Sequence, residues 1–227
     1  MPGEWLVWAV AAALVCGLQL VVVAHHPEPA DDEPDACTKP RYAQLARSSG
    51  AVGLLVASAL LCIPIPSLPL ALRPAWVVWA SAGLVLVYVD ARTTWLPIRA
   101  SRVTFIALLA GFGLGMAIDP GWWPGLIIRA LVGAGLAGGL FFVLWWRSRA
   151  LGFGDVRLAA MTGALAAAGS VQGWFAALLA GAIASACWGL GTTWWRRRHP
   201  SVLGRTFPYG PGLWLGPWLA WAWISLG

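Results

Sequence analysis

Apolar segments close to twenty residues long, separated by short polar connections, run through almost the whole sequence. Of the 227 residues, 59% are hydrophobic and only 11% are charged, a composition that excludes a soluble domain of this size. A helix needs about 20 apolar residues to cross about 30 Å of hydrocarbon. The sequence therefore predicts an all-α, polytopic helical membrane protein, in which residues 1–227 form one integral-membrane domain.

We predict eight membrane-spanning helices. The boundary between the second and the third is the least defined, because several prolines interrupt it and proline either kinks a helix or marks a turn. These prolines are Pro64, Pro66, Pro69 and Pro74. The predicted spans cover residues 5–24, 51–72, 75–89, 103–118, 125–146, 156–168, 171–195 and 207–226.

The basic residues indicate how these helices are oriented. Thirteen of the 15 lysines and arginines fall in odd-numbered connections, and only Arg73 and Arg129 fall in even-numbered ones. Because basic residues accumulate in cytoplasmic loops, we predict that the odd connections are cytoplasmic and both termini extracytoplasmic. The longest connection, residues 25–50, is then a cytoplasmic loop. Its acidic cluster at residues 31–35 is interpreted as solvated, and a short basic helix is expected near residues 41–47.

The charge and the cysteines also limit the partners. The net charge of +6 needs no nucleic acid to explain it, because the bases lie where anionic lipid headgroups of the cytoplasmic membrane would meet them. The cysteines show none of the spacings of a zinc site or a disulfide framework. They are Cys16, Cys37, Cys62 and Cys187. We therefore expect no metal and no cofactor.

Two aspartates stand out because they lie at the ends of apolar segments. Asp90 follows the third span, and Asp155 precedes the sixth. An ionisable group at the edge of a bilayer is unfavourable and usually functional. In the predicted topology both carboxyl groups lie at the cytoplasmic face, where a close pair would share one proton and activate a water molecule. We expect Asp155 to be the more often ionised, because it begins a helix.

The residues around Asp155 suggest a recessed site. Gly152 and Gly154 permit backbone angles closed to other residues and leave no side chain beside the carboxylate. The sixth span is short, which draws Asp155 below the membrane surface or thins the bilayer. From these residues alone, an alternative stays open. Asp155 would then be a helix N-cap, and Asp90 would pair with Arg92 or with a lipid headgroup.

Three motifs in order resemble those of the type IV prepilin peptidases. The first is Asp90 with Thr93, Leu96 and Pro97, and the second is residues 152–158, Gly-Phe-Gly-Asp-Val-Arg-Leu. The third is residues 207–212, Phe-Pro-Tyr-Gly-Pro-Gly, at the start of the last span. The eight-span layout is also similar, and the likeness covers roughly residues 76–226.

The resemblance implies an intramembrane aspartyl protease of the G-x-G-D class, with Asp90 and Asp155 as its catalytic pair. Such enzymes remove a short basic leader from prepilin-like proteins at the cytoplasmic membrane face. The other motif residues would support the site or bind substrate. They are Gly152, Gly154, Arg157, Pro208, Gly210 and Pro211. For Gly210 and Pro211, a broken helix start would leave backbone groups free to pair with an extended substrate, or would simply form a turn.

The chain departs from the larger family members in one connection. Those members carry two C-x-x-C pairs between the first and second spans, whereas here that connection is short and holds Cys37 alone. N-methylation of the trimmed product therefore stays open. Two other classes of function also remain. One is a proton-coupled transporter that uses the same aspartates, and the other is a non-catalytic scaffold of a pilus or secretion assembly.

Overall fold

The computed structural model describes residues 3–28, 39–122, 125–148, 151–196, 198 and 208–226. Across these ranges the chain is almost entirely helical and contains no strand. The all-α membrane fold predicted from the apolar segments is therefore confirmed.

Ten α-helices follow one another in the described ranges, joined by short turns. They are α1 (Glu4–Ala24), α2 (Tyr42–Arg47), α3 (Ser49–Leu60), α4 (Arg73–Val78), α5 (Leu84–Thr93), α6 (Ile98–Ile118), α7 (Gly125–Ser148), α8 (Phe153–Gly169), α9 (Val171–Arg196) and α10 (Gly210–Leu226). Turns of 3-10 helix occupy Ile65–Ser67, Leu70–Leu72 and Pro120–Trp122, and a π-helical turn, Trp79–Gly83, joins α4 to α5.

Six segments of the described chain are long and apolar enough to cross a membrane. They are Glu4–Ala24, Ser49–Ser67, Leu70–Thr93, Ile98–Ile118, Gly125–Ser148 and Val171–Trp195. The other two predicted spans correspond to α8 and α10, which have 17 residues each and are thus about 25 Å long at about 1.5 Å per residue. The protein is a multi-pass membrane protein, while the count of eight spans and the position of the termini stay predictions.

The boundary between the second and third predicted spans differs from the expected one. Residues 70–72 belong to the third segment, which runs without a break from Leu70 to Thr93. Pro74 lies in the first turn of α4, where a missing N–H removes no helical hydrogen bond. This segment is central, since 83% of its apolar stretch is buried, against 22% to 39% in the other five.

Small residues allow some of the helices to approach closely. Gly111 and Gly115 are four residues apart, and a side chain at either would collide with the backbone of Ala75 or Ala71, so α6 packs closely against the central segment Leu70–Thr93 there. Gly135 and Gly139 have the same spacing, yet both face open space. The close approach of α7 to α8 occurs instead where Gly133 and Gly163 face each other's carbonyl groups.

The connection after α1 is partly helical. The basic helix expected near residues 41–47 is α2, and its first turn is capped by Glu28, which accepts hydrogen bonds from the N–H groups of Tyr42 and Ala43 at 3.0 and 3.2 Å. Burial and the charge of Glu28 raise the pKa of Tyr42 to about 12. The acidic cluster and Cys37 lie outside the described residues.

Candidate active site

Asp90 lies in the last turn of α5, inside the protein. The helix continues to Thr93, four residues beyond the expected end of the span. The Asp90 side chain is only 3% exposed, and its Oδ2 accepts a hydrogen bond from the Gly210 N–H at 2.9 Å. The expected alternative, pairing with Arg92, is not what the structure shows. Arg92 instead lies over the ring of Tyr88, 5.9 Å from its centroid.

A tight turn follows Asp90 and is fixed by its own side chains. The Thr93 hydroxyl donates to the Val89 carbonyl at 2.8 Å and accepts from the Trp95 N–H at 3.1 Å. Thr94 ends the helix in the left-handed region, with φ of 57°. Lys39, from the first connection, donates to the Thr94 hydroxyl at 3.1 Å and lies 3.9 Å from the Trp95 ring centroid. The predicted Asp-x-x-Thr motif thus shapes the turn that leads from α5 to α6.

Asp155 lies at the third position of α8, and not at the N-cap. The N-cap is Gly152, whose N–H donates to Asp155 Oδ2 at 3.0 Å. A carboxylate at this position that reaches back to the N-cap N–H satisfies one of the free donors of the helix start. Asp155 is 7% exposed. The N-cap alternative is therefore wrong, although Asp155 does stabilise the helix start.

Gly154 brings the first two motifs together. A side chain added to Gly154 would lie 2.7 Å from Leu96 Cβ, closer than packed carbon atoms approach. Gly152 does not use the conformational freedom that glycine permits, since its φ is −75° and its ψ is 151°, values that any residue adopts. What matters at Gly154 is the absent side chain, which lets the start of α8 lie against the turn after α5.

The two carboxyl groups are close enough to interact electrostatically. The charge of Asp155 acts on Asp90, which belongs to a different helix. It also acts on Tyr209, which precedes α10. Both aspartates are buried, and the helix starts and turn around them meet through the contact of Gly154 with Leu96 and the hydrogen bond from Gly210 to Asp90. A buried pair of carboxyl groups does not ionise twice at low cost, so such a pair holds one proton between its members.

The start of α10 lies next to Asp90. Gly210 begins the helix, and its N–H is bonded to Asp90, so this group is not free for a substrate strand as one alternative expected. The Ser185 hydroxyl of α9 donates to the Tyr209 carbonyl at 3.2 Å. Pro208 is buried just before the helix, and Pro211 occupies its second position. Phe207 lies outside the described residues.

A reciprocal pair of hydrogen bonds joins α10 to the central segment, Leu70–Thr93. The Trp79 indole N–H donates to the Trp214 carbonyl at 3.1 Å, and the Trp214 indole N–H donates to the Trp79 carbonyl at 2.9 Å. Trp79 begins the π-helical turn, where the wider backbone spacing alters the ordinary helical hydrogen bonds. Sequence reasoning missed both residues. The available signal was a tryptophan deep within a span, because its N–H needs a partner there.

Arg157 is positioned two residues beyond Asp155. Its guanidinium lies over the Phe153 ring, 5.3 Å from the centroid. Its predicted role in binding substrate stays a prediction. Within the described ranges, no group of three or more histidine, cysteine, aspartate or glutamate side chains could hold a metal ion. The thiols of Cys16, Cys62 and Cys187 are free.

The sequence matches a known protein family. The family model of the type IV leader peptidase family matches residues 77–190, a stretch of about half the chain that contains Asp90, Gly152, Gly154 and Asp155. No curated protein and no solved structure matches the chain.

Proposed function

Because this chain belongs to the type IV leader peptidase family, we propose that it is the aspartic endopeptidase that removes the short basic leader of prepilin-like proteins at the cytoplasmic membrane face. A peptidase of this general kind follows from the family. The substrate, the membrane face and the catalytic residues are parts of the proposal. What supports it is that Asp90 and Asp155, on two helices and 65 residues apart in sequence, are both buried and interact electrostatically.

In the proposed mechanism Asp155 acts as the general base and Asp90 as the general acid. Asp155 is the ionised member, because it lies at a helix N-terminus and accepts the Gly152 N–H. It removes a proton from water as the water oxygen attacks the scissile carbonyl carbon. Asp90, more deeply buried, holds the shared proton and donates it to the carbonyl oxygen. The tetrahedral intermediate then collapses: one of its hydroxyl groups returns a proton to Asp90, the C–N bond breaks, and the leaving amine takes the proton from Asp155.

The hydrogen bonds of the aspartates suit this division. The Gly210 N–H donates to Oδ2 of Asp90, and the Gly152 N–H donates to Oδ2 of Asp155. Oδ1 of each carboxyl group is therefore the atom proposed to act on water or substrate. Fixing one oxygen from the backbone orients the other without a mobile side chain. Preorganised polar groups of this kind lower the barrier because they need no rearrangement during the reaction.

The placement of acids along the helices favours a peptidase over a proton-coupled transporter. Within the described helices the only carboxylic acids are Glu4, Asp90 and Asp155. All three lie near helix ends, whereas a proton relay through the membrane requires polar or ionisable groups at intermediate depth. The proposal covers leader cleavage alone, because the short first connection does not support N-methylation.

Cleavage of a prepilin-like substrate in membranes tests the proposal. We expect Asp90→Asn and Asp155→Asn each to abolish leader removal, measured by the mass and N-terminal sequence of the product. Asp119→Asn is the matched control, because Asp119 caps the far end of α6 and should leave cleavage unchanged. Cleavage that survives either substitution in the pair would end the proposal.

A further inference from the structure

A proline inside α10 removes one of the hydrogen bonds of that helix. Pro217 lies in the interior of α10, which begins at Gly210. Because proline has no N–H, the Leu213 carbonyl, four residues earlier, lacks its usual helical donor. Leu213 is 1% exposed, so bulk water does not reach this carbonyl. A backbone carbonyl left unsatisfied inside a membrane protein is unfavourable, and side chains of neighbouring helices, threonine among them, replace the missing donor.

Thr162 of α8 supplies such a donor. Its hydroxyl donates to the Leu213 carbonyl at 3.3 Å, and Thr162 is fully buried. Three other threonines donate instead to the carbonyl four residues earlier in their own helix, which is the common bond of a threonine within a helix. They are Thr93, Thr104 and Thr193. Thr162 thus departs from the common bond at the carbonyl that Pro217 leaves without a helical donor.

The Thr162 bond joins the helices that carry the two halves of the candidate site. Thr162 follows Asp155 by seven residues, which is close to two full turns and about 10 Å, so both lie on the same face of α8. Leu213 follows Gly210 by three residues, about 4.5 Å along α10. The Gly210 N–H donates to Asp90. The bond therefore connects the helix of Asp155 to the helix whose first N–H fixes Asp90.

The other side of α8 is held by close packing against α7. A side chain at Gly163 would collide with the Gly133 carbonyl, so the two backbones are in contact there. Because α8 is fixed on that side, loss of the Thr162 bond displaces α10 more readily than α8. A displaced α10 carries Gly210 with it, and the Asp90 carboxyl group then moves or loses its hydrogen bond.

We propose that Thr162 is a positioning residue, which holds Gly210 and through it Asp90 at the working distance from Asp155. This role rests on the proposed function, because it concerns the reaction of that aspartate pair. Thr162 does not touch substrate, since it is fully buried about two turns along α8 from Asp155. Its effect is therefore expected in kcat, which depends on the geometry of the reacting groups, and not in KM.

Leader cleavage in membranes by Thr162→Val and Thr162→Ser tests this role. Valine keeps the shape of threonine without the donor, whereas serine keeps the donor. A displacement of about 1 Å costs about a hundredfold in rate. We expect Thr162→Val to lower kcat less, by about tenfold, because the indole pair still holds α10. Thr162→Ser should retain most of the rate. Equal losses of kcat in both variants, or a loss confined to KM, would overturn the proposal.

Thr193→Val is the matched control. The Thr193 hydroxyl donates to the Gly189 carbonyl of its own helix at 2.7 Å, and Thr193 is exposed. The same substitution there should leave kcat unchanged. A similar loss of kcat in Thr193→Val would show that removal of any threonine hydroxyl disturbs the protein, which also contradicts a specific role for Thr162.

The variant Pro217→Ala tests whether Thr162 answers the proline. Alanine at position 217 supplies the N–H that the Leu213 carbonyl lacks, so the hydroxyl is no longer needed there. With Pro217 present, Thr162→Val should lower both kcat and Tm. In the Pro217→Ala background, the same change should lower both much less. Equal losses in the two backgrounds would show that the hydroxyl does not replace the missing donor, and the proposal would fail.

Thermal unfolding of these variants in detergent separates this proposal from the proposed function. The Tm requires no substrate, so the coupling between Thr162 and Pro217 is measurable whatever the chain cleaves. A coupled loss of Tm with unchanged kcat would show a purely structural bond and would exclude the positioning role. Cleavage that survives Asp90→Asn would instead end the proposed function, and the positioning role with it, but would leave the Tm coupling in place.

Discussion

The two halves of the candidate active site are held in different ways. Asp90 lies on the central, mostly buried segment, and its surroundings come from distant parts of the chain: Gly210 of α10, Lys39 of the first connection, and the indole pair of Trp79 and Trp214. Asp155 lies on a short helix, and its hydrogen bond comes from Gly152, three residues away. The half that carries Asp90 is thus built by tertiary contacts, and the half that carries Asp155 mostly by local ones.

This difference indicates where the site is sensitive to change. Substitutions far from Asp90 in sequence should disturb it, because several helices meet around its carboxyl group. Substitutions should disturb Asp155 only where the start of α8 contacts the turn after α5, which is the contact between Gly154 and Leu96.

The largest effect among the supporting residues is expected for Gly210→Val. The first carbon of a side chain there would lie 2.6 Å from Asp90 Oδ2, so the carboxyl group must move or lose its hydrogen bond. A misplacement of about 1 Å at a catalytic group costs about a hundredfold in rate. We expect that loss in kcat for leader cleavage, with the protein still folded in detergent. Gly113→Val, on an open face of α6, is the control, and equal losses in both variants would contradict the account.

A smaller effect is expected for Gly154→Ala. Its Cβ would lie 2.7 Å from Leu96 Cβ and push the start of α8 away from the turn after α5. Overpacking of this size costs about 1–3 kcal/mol, so we expect cleavage to slow by about tenfold. The double variant Gly154→Ala with Leu96→Ala should regain much of the rate. If removing the Leu96 side chain restores nothing, the two motifs are not brought together by this contact.

The indole pair is expected to affect stability. Trp214→Phe keeps the ring but removes the N–H that the Trp79 carbonyl accepts, which leaves a buried acceptor without a partner at about 1–3 kcal/mol. We expect a Tm several degrees lower in detergent. Trp223→Phe is the matched control, because Trp223 is 79% exposed. A Tm that falls no further in Trp214→Phe than in the control would show that the pair does not hold α10 in place.

The smallest effect is expected for Lys39→Met. This change removes the hydrogen bond to Thr94 and the contact with the Trp95 ring, a cation–π interaction of about 0.5–2 kcal/mol. We expect faster hydrogen exchange at the amides of residues 93–95 and little change elsewhere. Arg47→Met removes an exposed charge from the end of α2 and should leave that exchange unchanged. Unaltered hydrogen exchange in Lys39→Met would show that the first connection does not stabilise the turn that follows Asp90.

The features that were predictable from the sequence depend on long apolar segments and on ordered motifs. The helical membrane fold follows from the length and composition of those segments. Asp90 of the first motif accepts a hydrogen bond from Gly210 of the third. The motifs therefore contained the residues that come into contact. Their order along the chain could not say which atoms would touch, because that depends on how α10 packs against α5.

Other features could not be predicted because sequence spacing does not say which face of a helix meets its neighbour. Gly135 and Gly139 have the spacing of a packing pair, yet it is Gly133 that faces Gly163. The indole pair is another case, since its two members lie 135 residues apart in sequence. The effect of Pro74 on the helix could not be predicted for a related reason. Proline breaks a helix in its interior but is tolerated in its first turn.

The distance between the two carboxyl positions tests the central claim most directly. In a variant in which Cys16, Cys37, Cys62 and Cys187 are replaced, Asp90→Cys and Asp155→Cys should be joined within one chain by a short bifunctional thiol reagent. Mass spectrometry of the digested protein detects the joined peptides. The pair Asp119→Cys and Asp155→Cys should not be joined. The account is contradicted if both cysteines at positions 90 and 155 react with a monofunctional thiol reagent but are never joined to each other.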